Sequence, residues 1–335
     1  MRRGFRLTIV LSTLCAVAPA ACGSPSPPSS SNTDPAGPVS GTLVVNGAGT
    51  LARPFGEVIA AFKEQNPDVT VQSRFAGSVE VVRRATELGT PVDVVGVADY
   101  TLIPSEMFKT DDGTKFADWY AGFASNRITF AYTDHSAGAA ELTPENWYQV
   151  LSRPGVRIGR SNPDTDPSGY QVLQMLNLAQ NYYGQPNLAA GVLANSPAET
   201  MVGTETQLLP AVTSGQIDYL GIYRSDALQH DLRFIDLPAQ IDLSDPAQAA
   251  AYEAVQLPTA SGVRTGRPIV YALTIPTKAP NRAAALRFVE FVLSPAGQRI
   301  MSDNGFTVLN PAVSGGANLP ASLAAVTKPT TLPGG

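Results

Sequence analysis

Cysteine and histidine are almost absent from this chain. Its two cysteines, Cys15 and Cys22, lie near the amino terminus, so the rest of the protein must fold without disulfides. The two histidines are His135 and His230, and neither has a partner at the spacing of a metal-ligand motif. These scarcities exclude a disulfide scaffold and a histidine or cysteine metal site, so we predict no bound metal ion and no cofactor.

Charge is also sparse. Only 15% of the residues are charged, and 28 acidic against 23 basic residues give a net charge of −5. Nucleic-acid-binding proteins carry basic patches, so this balance excludes nucleic acid as a partner. Beyond the amino terminus there is no apolar run long enough for a transmembrane helix. The sequence also lacks a G-x-S-x-G elbow and paired catalytic carboxylates with a base, so we predict that the protein is not an enzyme.

The amino-terminal segment has the pattern of a secretory signal. Three arginines in the first six residues precede an apolar run over 7–18, and small residues then lead to Cys22. This cleavage site looks like a bacterial lipobox, although Pro19 is unusual in one, and the alternative is an ordinary signal with an incidental cysteine. We predict a lipoprotein signal peptide over 1–22, a lipid anchor on Cys22, and a protein held at the extracytoplasmic face of the cell membrane.

A polar segment separates this signal from the folded body. Residues 23–41 contain five prolines and six serines, a composition that buries nothing and predicts a disordered tether. The body that follows ends near Leu319 and is about twice the size of a typical domain, which favours two lobes.

Short apolar runs alternate with helical patterns along the body. Candidate strands are 43–46, 69–73, 92–97, 128–132, 156–159, 217–222, 233–237 and 269–275, and candidate helices are 54–65, 79–88, 144–151, 168–183, 205–213, 281–293 and 295–304. This alternation predicts an α/β fold with mostly parallel sheets flanked by helices.

Three strand-to-helix turns are rich in small and hydroxyl residues. They are Gly47-Ala48-Gly49-Thr50, Ala76-Gly77-Ser78 and the stretch NPDTDPSGY, which contains Asp164 and Asp166. Helix N-termini leave N–H groups unpaired and carry partial positive charge, so they hold anions without lysine or arginine. Each turn is also consistent with an ordinary helix cap, and the first lacks the G-x-G-x-x-G spacing of a dinucleotide loop.

A resemblance to a known family covers nearly the whole folded length. It is carried by GAGTLARPFGEVIAAFKEQNPDVTVQ, AGSVEVVRRATELGTPVDVVGVADYTLIP, NPDTDPSGY, DYLGIYRSDALQH and GRPIVYALTIP. In these stretches the chain resembles the tungstate/molybdate-binding lipoproteins that supply ABC importers. The resemblance implies a type II periplasmic-binding-protein fold, with lobe one over 41–126 plus 270–335, lobe two over 127–269, and two crossover strands between them.

The resemblance also implies roles for particular residues. Thr50, Ser78 and Tyr271 stand where the family has hydroxyl donors, and Asp166 stands where it has a carboxylate that approaches the metal. Weaker candidates for the ligand site are Ala48, Gly49, Gly77, Asp164 and Ile222. Ile222 occupies a position at which the family usually has a second carboxylate, so coordination or specificity can differ here.

Asp166 poses a problem of charge, because an ionised carboxylate repels a dianion. The repulsion is relieved if the carboxylate contacts a metal centre, meets a protonated oxyanion or is itself protonated. Molybdate and tungstate supply a metal, phosphate supplies a proton, and sulfate supplies neither. The alternative is that Asp166 only caps the helix after it.

Other residues are assigned structural roles. We expect Glu205 and Asp226 to be capping or solvated charges rather than ligands, and Arg127, Arg224 and Arg267 to be solvated or to pair near the hinge. The tyrosine pair 182–183 resembles the paired tyrosines of ferric-ion-binding proteins, but its position at a helix end favours packing.

Together these observations predict a monomeric, lipid-anchored solute-binding protein. It captures a tetrahedral oxyanion, tungstate or molybdate, and delivers it to the membrane permease of an ABC importer. The alternatives are the same fold with phosphate, sulfate or ferric iron as ligand, and a tethered sensor domain.

Overall fold

The structure is a computed structural model and describes residues 37–111 and 113–332. The predicted signal peptide, Cys22 and most of the predicted tether lie outside the described residues. Strands are β1 Gly41–Ala48, β2 Val69–Ala76, β3 Val94–Val97, β4 Thr110–Asp111, β5 Thr114–Lys115, β6 Trp119–Ser125, β7 Ile128–Tyr132, β8 Ile158–Gly159, β9 Tyr219–Tyr223, β10 Arg233–Phe234, β11 Gln256–Thr259, β12 Gly262–Thr265, β13 Val270–Thr274, β14 Thr307–Gly316 and β15 Thr327–Pro329.

The α-helices lie between these strands. They are α1 Ala52–Gln65, α2 Ser78–Thr86, α3 Trp147–Leu151, α4 Pro167–Tyr182, α5 Leu188–Leu193, α6 Leu209–Thr213, α7 Arg224–Gln229, α8 Ala249–Glu253, α9 Arg282–Leu293, α10 Pro295–Asp303 and α11 Ala321–Ala324. Among the described residues, no helix is both long and apolar enough to cross a membrane.

The larger sheet has seven strands in the order β15-β14-β6-β13-β3-β1-β2. β1 pairs in parallel with β2 and β3, whereas β13 runs antiparallel to both β3 and β6, and β14 runs antiparallel to β6. The sheet is therefore mixed, whereas the sequence predicts a mostly parallel one. The difference has a topological cause: β6 and β13 are the strands next to the segments that join the two sheets, so they do not follow the strand–helix–strand rule that makes neighbours parallel.

The smaller sheet has four strands in the order β10-β7-β9-β8. Only β8 and β9 are parallel, because β7 runs antiparallel to both β9 and β10. Two residues, Asn126 and Arg127, separate the end of β6 in the larger sheet from the start of β7 in the smaller one. The chain returns to the larger sheet at β13.

An aromatic cluster fixes α1 against the larger sheet. The apolar face of α1 buries Phe55, Val58 and Phe62, at the spacing of one helical face. Phe62 meets the ring of Phe288 in α9 edge to face at 5.3 Å, an arrangement that ring quadrupoles favour. The position of the turn that precedes α1 is therefore set by the core.

Helix caps follow the signals in the sequence. Ser294 precedes Pro295 and accepts a hydrogen bond from the backbone N–H of Gly297, as an N-cap serine does. Asn281 caps α9 in the same way through Ala284. The helix predicted over 144–151 begins later, at Trp147.

Candidate functional site

The first glycine-rich turn brings Thr50 to Tyr271. Thr50 lies in the short 3₁₀ turn Gly49–Leu51 between β1 and α1 and is buried. Its hydroxyl donates to the phenol oxygen of Tyr271 on β13 over 2.9 Å. Two of the predicted hydroxyl donors are thus in contact although 221 positions separate them.

The second turn places Ser78 at the start of α2. Ser78 is fully buried, and its hydroxyl oxygen accepts a hydrogen bond of 3.0 Å from the backbone N–H of Ala98, just after β3. Because Ser78 accepts in this bond, its own hydroxyl proton remains able to donate to a ligand.

The third turn places Asp166 at the N-cap of α4. Its side chain accepts from the backbone N–H of Ser168 over 2.8 Å, and Pro167 occupies the first helical position. Asp166 is 3% exposed. Burial, and then the nearby carboxyl of Glu205, raise the pKa of Asp166 well above its ordinary value. Asp166 is therefore a cap, as the alternative interpretation held, but it is a buried cap in an acidic neighbourhood.

The three turns face one another. A Cβ atom on Gly49 would lie 2.5 Å from the hydroxyl oxygen of Thr204. A Cβ atom on Gly77 would overlap the carbonyl oxygen of Thr165 and lie 2.9 Å from that of Gly203. Glycine is required at both positions because loops associated with the smaller sheet approach turns of the larger sheet this closely. The starts of α1, α2 and α4 therefore converge.

A hydrogen-bond network links Tyr271 to the segment that joins the two sheets. Asn126, which the sequence analysis did not identify, donates from its side-chain amide to the hydroxyl of Ser225 over 2.8 Å and to Tyr271 over 3.4 Å. Burial raises the pKa of Tyr271 well above its ordinary value, and the charge of Asp226 adds to the shift. Tyr271 therefore stays a neutral phenol that can donate a hydrogen bond.

Glu205 lies beside Asp166 in the same buried region. It was expected to be a capping or solvated charge, but it is 1% exposed. One carboxylate oxygen accepts from the hydroxyls of Ser168 and Thr204 at 2.7 and 3.1 Å, while the other has no hydrogen-bond partner. Burial raises the pKa of Glu205, the hydrogen bond from Ser168 is the largest influence that lowers it, and the nearby Asp166 also contributes. The two carboxyl groups thus form a coupled pair.

Asp226 was likewise expected to be a capping or solvated charge, and its burial excludes the solvated alternative. It lies in the first turn of α7, is 2% exposed, and has one oxygen without a hydrogen-bond partner. Burial, then Glu205 and then Asp166, raise the pKa of Asp226 well above its ordinary value. Its place just past the carboxyl end of β9 is the signal that a strand-end rule could have used.

The weaker candidates take different positions. Ala48, Gly49 and Gly77 belong to the converging turns. Asp164 instead accepts a 2.7 Å hydrogen bond from the backbone N–H of Ala260 in the β11–β12 turn. Ile222 is fully buried in an apolar cluster with residues such as Val212 of α6.

Residues assigned structural roles have partners elsewhere. Arg127 lies 3.7 Å from Asp236, Arg267 lies 2.9 Å from Glu253, and Arg224 lies over the ring of Phe234; both histidines are exposed. Tyr183 packs on the rings of Trp147 and Tyr148, and Tyr182 is half exposed, so the tyrosine pair is a packing feature of the end of α4. Within the described ranges, no group of histidine, cysteine and carboxylate residues has the arrangement of a site for a metal ion.

Comparison with known proteins gives a consistent result. The pattern of the family described as bacterial extracellular solute-binding protein matches residues 43–307. The chain is 38% identical over 309 residues to the molybdate/tungstate-binding protein WtpA of Pyrococcus abyssi, covering 84% of this chain and 88% of that protein. It is 38% identical over 279 residues to an uncharacterized solute-binding protein of Petrotoga mobilis, covering 82% and 85%. Its fold is similar to that of the periplasmic molybdate-binding protein of Azotobacter vinelandii, with a TM-score of 0.57, 17% identity and coverage of 80% and 99%.

Proposed function

The chain belongs to the bacterial extracellular solute-binding protein family, and from this premise we propose that it captures tungstate or molybdate outside the cytoplasm for an ABC importer. The relative from Pyrococcus abyssi, named for both oxyanions, aligns with most of the chain. The observation that carries the proposal is the convergence of Thr50, Ser78 and Tyr271 with Asp166 in one buried region.

This arrangement suits a small anion. Helix starts offer N–H groups and partial positive charge, and the neutral hydroxyls of Ser78 and Tyr271 add directed donors, because the Thr50 proton is donated to Tyr271. Hydrogen bonds to a charged group contribute roughly 1.5–3 kcal/mol each. Several converging donors therefore reach the roughly −12 kcal/mol that nanomolar binding requires. An acidic protein can bind an anion in this way without an arginine.

Capture would proceed by closure of two lobes. Lobe one would comprise 41–126 plus 270–335, and lobe two would comprise 127–269, with the hinge at Asn126–Arg127 and before β13. A ligand that contacts both lobes stabilises the closed form, because those contacts exist only when the lobes meet. The close approach of Gly49 to Thr204 and of Gly77 to Thr165 supports this closed geometry.

The remaining parts of the proposal concern location and partners. A lipid anchor on Cys22 and a tether over 23–41 would hold a monomeric protein at the outer face of the cell membrane, next to the permease. The family is one of extracellular proteins that bind solutes, which supports transport rather than catalysis.

Calorimetry with the purified protein tests the ligand. We expect heat of binding with tungstate and molybdate and none with sulfate or phosphate. Binding of phosphate without binding of the two metal oxyanions would overturn the proposed ligand. A visible charge-transfer band on addition of ferric iron would favour iron capture instead.

A further inference from the structure

One tyrosine of α4 reaches from the smaller sheet into the core of the larger one. α4 itself packs on β7 and β9 of the smaller sheet. The ring of Tyr170 is nevertheless 1% exposed and lies in an apolar cluster with residues such as Val79 of α2 and Val97 of β3. β3 is a strand of the larger sheet, and α2 directly follows another of its strands, β2. Tyr170 therefore packs across the boundary between the two sheets.

The hydroxyl of Tyr170 is bound to a carboxylate on the far side of this boundary. It donates to Oδ2 of Asp99, just after β3, over 2.6 Å. The other carboxylate oxygen of Asp99 accepts from the backbone N–H and the hydroxyl of Thr101 at 2.9 and 2.7 Å, so Asp99 is oriented independently of Tyr170. Burial, and then the charge of Asp99, raise the pKa of Tyr170 well above its ordinary value. The phenol therefore keeps the proton that it donates, and a hydrogen bond to an ionised acceptor is among the stronger ones.

A second pair of residues spans the same boundary. Arg264 of β12 is 8% exposed, and its guanidinium carbon lies 5.8 Å from the centre of the Tyr170 ring. Its Nη2 lies 3.8 Å from a carboxylate oxygen of Glu106, in the helical turn that follows β3. The side-chain amide of Gln174 in α4 donates to the carbonyl oxygen of Arg264 over 3.0 Å, which joins β12 to α4. The Arg264–Glu106 pair is too long for a hydrogen bond, so it supports the contact of Tyr170 with Asp99 rather than replacing it.

We propose that Tyr170 and Asp99 form a latch, which holds the two lobes closed and so determines how slowly the oxyanion leaves. The inference rests on the proposed function and names residues that set affinity without contact with the ligand. The hydroxyl of Tyr170 is already bound to Asp99, so the latch contributes equally whichever oxyanion is bound. A contact that exists only in the closed form raises the affinity for every ligand of that form by the same factor.

Replacement of Tyr170 by phenylalanine tests the latch, because it keeps the buried ring and removes only the hydroxyl. By calorimetry we expect the affinities of Tyr170→Phe for tungstate and for molybdate to fall by the same factor, about tenfold or more, the effect of one lost hydrogen bond to a charged group. The control is Tyr219→Phe. Tyr219 is also fully buried, and its hydroxyl donates over the same 2.6 Å to the carbonyl oxygen of Ala137, with both residues inside 127–269. This variant should leave both affinities within about twofold.

Binding kinetics give a readout that a merely structural role would not move. In stopped-flow measurements of tryptophan fluorescence with tungstate, Tyr170→Phe should dissociate about tenfold faster, while its association rate changes by less than about threefold. The latch forms after the ligand has entered, so its loss affects release. An unchanged affinity and dissociation rate, or a loss that differs between tungstate and molybdate, would overturn the latch while leaving oxyanion capture intact.

X-ray scattering without ligand separates the latch from the proposed function. If the unaltered protein binds no oxyanion, the proposed function is refuted. The latch then still predicts a larger radius of gyration for Tyr170→Phe than for Tyr219→Phe, because only the first variant loses a bond between the lobes. Equal radii of gyration in that case would overturn the latch as well.

Discussion

Replacement of Asp226 by asparagine should change how the stability of the ligand-free protein depends on pH. Burial, Glu205 and Asp166 raise the pKa of Asp226 well above the ordinary value of 3.8. The folded protein therefore keeps this proton at pH values where the unfolded chain has already released it. Stability is greatest below the unfolded pKa and falls as the pH rises towards the folded pKa.

The size of the change in pH dependence follows from the single proton that Asp226 binds and releases. Across the window between the two pKa values, each extra proton held by the folded state lowers the free energy of unfolding by about 1.4 kcal/mol per pH unit. Asparagine has nearly the same shape but no proton to lose. In Asp226→Asn, the free energy of unfolding should therefore fall less steeply with pH, by up to about 1.4 kcal/mol per pH unit. At the upper end of the window between the two pKa values, the variant should be more stable than the unaltered protein.

Urea denaturation at a series of pH values measures this slope. The free energy of unfolding is extrapolated to water for both proteins at each pH, and the slopes are subtracted so that titrating groups that do not interact with Asp226 cancel. Asp242→Asn serves as a control for the loss of a buried aspartate, since the pKa of Asp242 is also raised but without Glu205 or Asp166 among the causes. Equal slopes for Asp226→Asn and the unaltered protein would refute the reasoning, because Asp226 would then titrate as it does in the unfolded chain.

Two further predictions concern the converging turns. Ser78→Ala should weaken tungstate binding by about tenfold or more, since it removes a hydroxyl donor to a charged ligand, as calorimetry would show. Gly77→Ala should also weaken tungstate binding by about tenfold or more, because the added Cβ overlaps the Thr165 carbonyl oxygen. The control is Gly56→Ala, in an open position of α1, which should leave the affinity unchanged and stabilise the helix by about 1 kcal/mol or less.

The predictions for Ser78→Ala and Gly77→Ala can each be contradicted by a specific measurement. Unchanged affinity in Ser78→Ala would show that its hydroxyl does not reach the ligand, provided that the variant keeps its thermal unfolding midpoint. Equal affinities for Gly77→Ala and Gly56→Ala would show that the close approach of the second turn to Thr165 is not part of the bound state.

Much of the site could be predicted because it follows local rules. The sequence predicts a turn between a strand and a helix at Thr50, at Ser78 and at Asp166. In the structure each of these residues lies at or beside the start of its helix. Tyr271 came from the family resemblance and lies against Thr50. Their roles as ligand donors remain predictions.

Asn126 and Glu205 carry no local signal of a role in the site, and Asp226 carries only its place just past the carboxyl end of β9. Asn126 lies between two strands of different sheets, and Glu205 begins a short 3₁₀ turn, Glu205–Leu208, that reads as an ordinary cap. Asp226 resembles any acidic residue in the first turn of a helix. These residues differ from ordinary solvated polar residues only because distant parts of the chain bury them. Burial of a polar residue depends on tertiary packing, which the local sequence pattern does not contain.

The sequence by itself determined the elements: the spacing of apolar residues, the glycines and the caps fix where strands end and helices begin, because these signals act over a few neighbouring residues. The tertiary structure alone decided that β6 and β13 run antiparallel to their neighbours and that three carboxyl groups share one buried region. Both depend on contacts between residues far apart in the chain, and the free energy of a buried charge is set by whichever groups the fold happens to bring beside it.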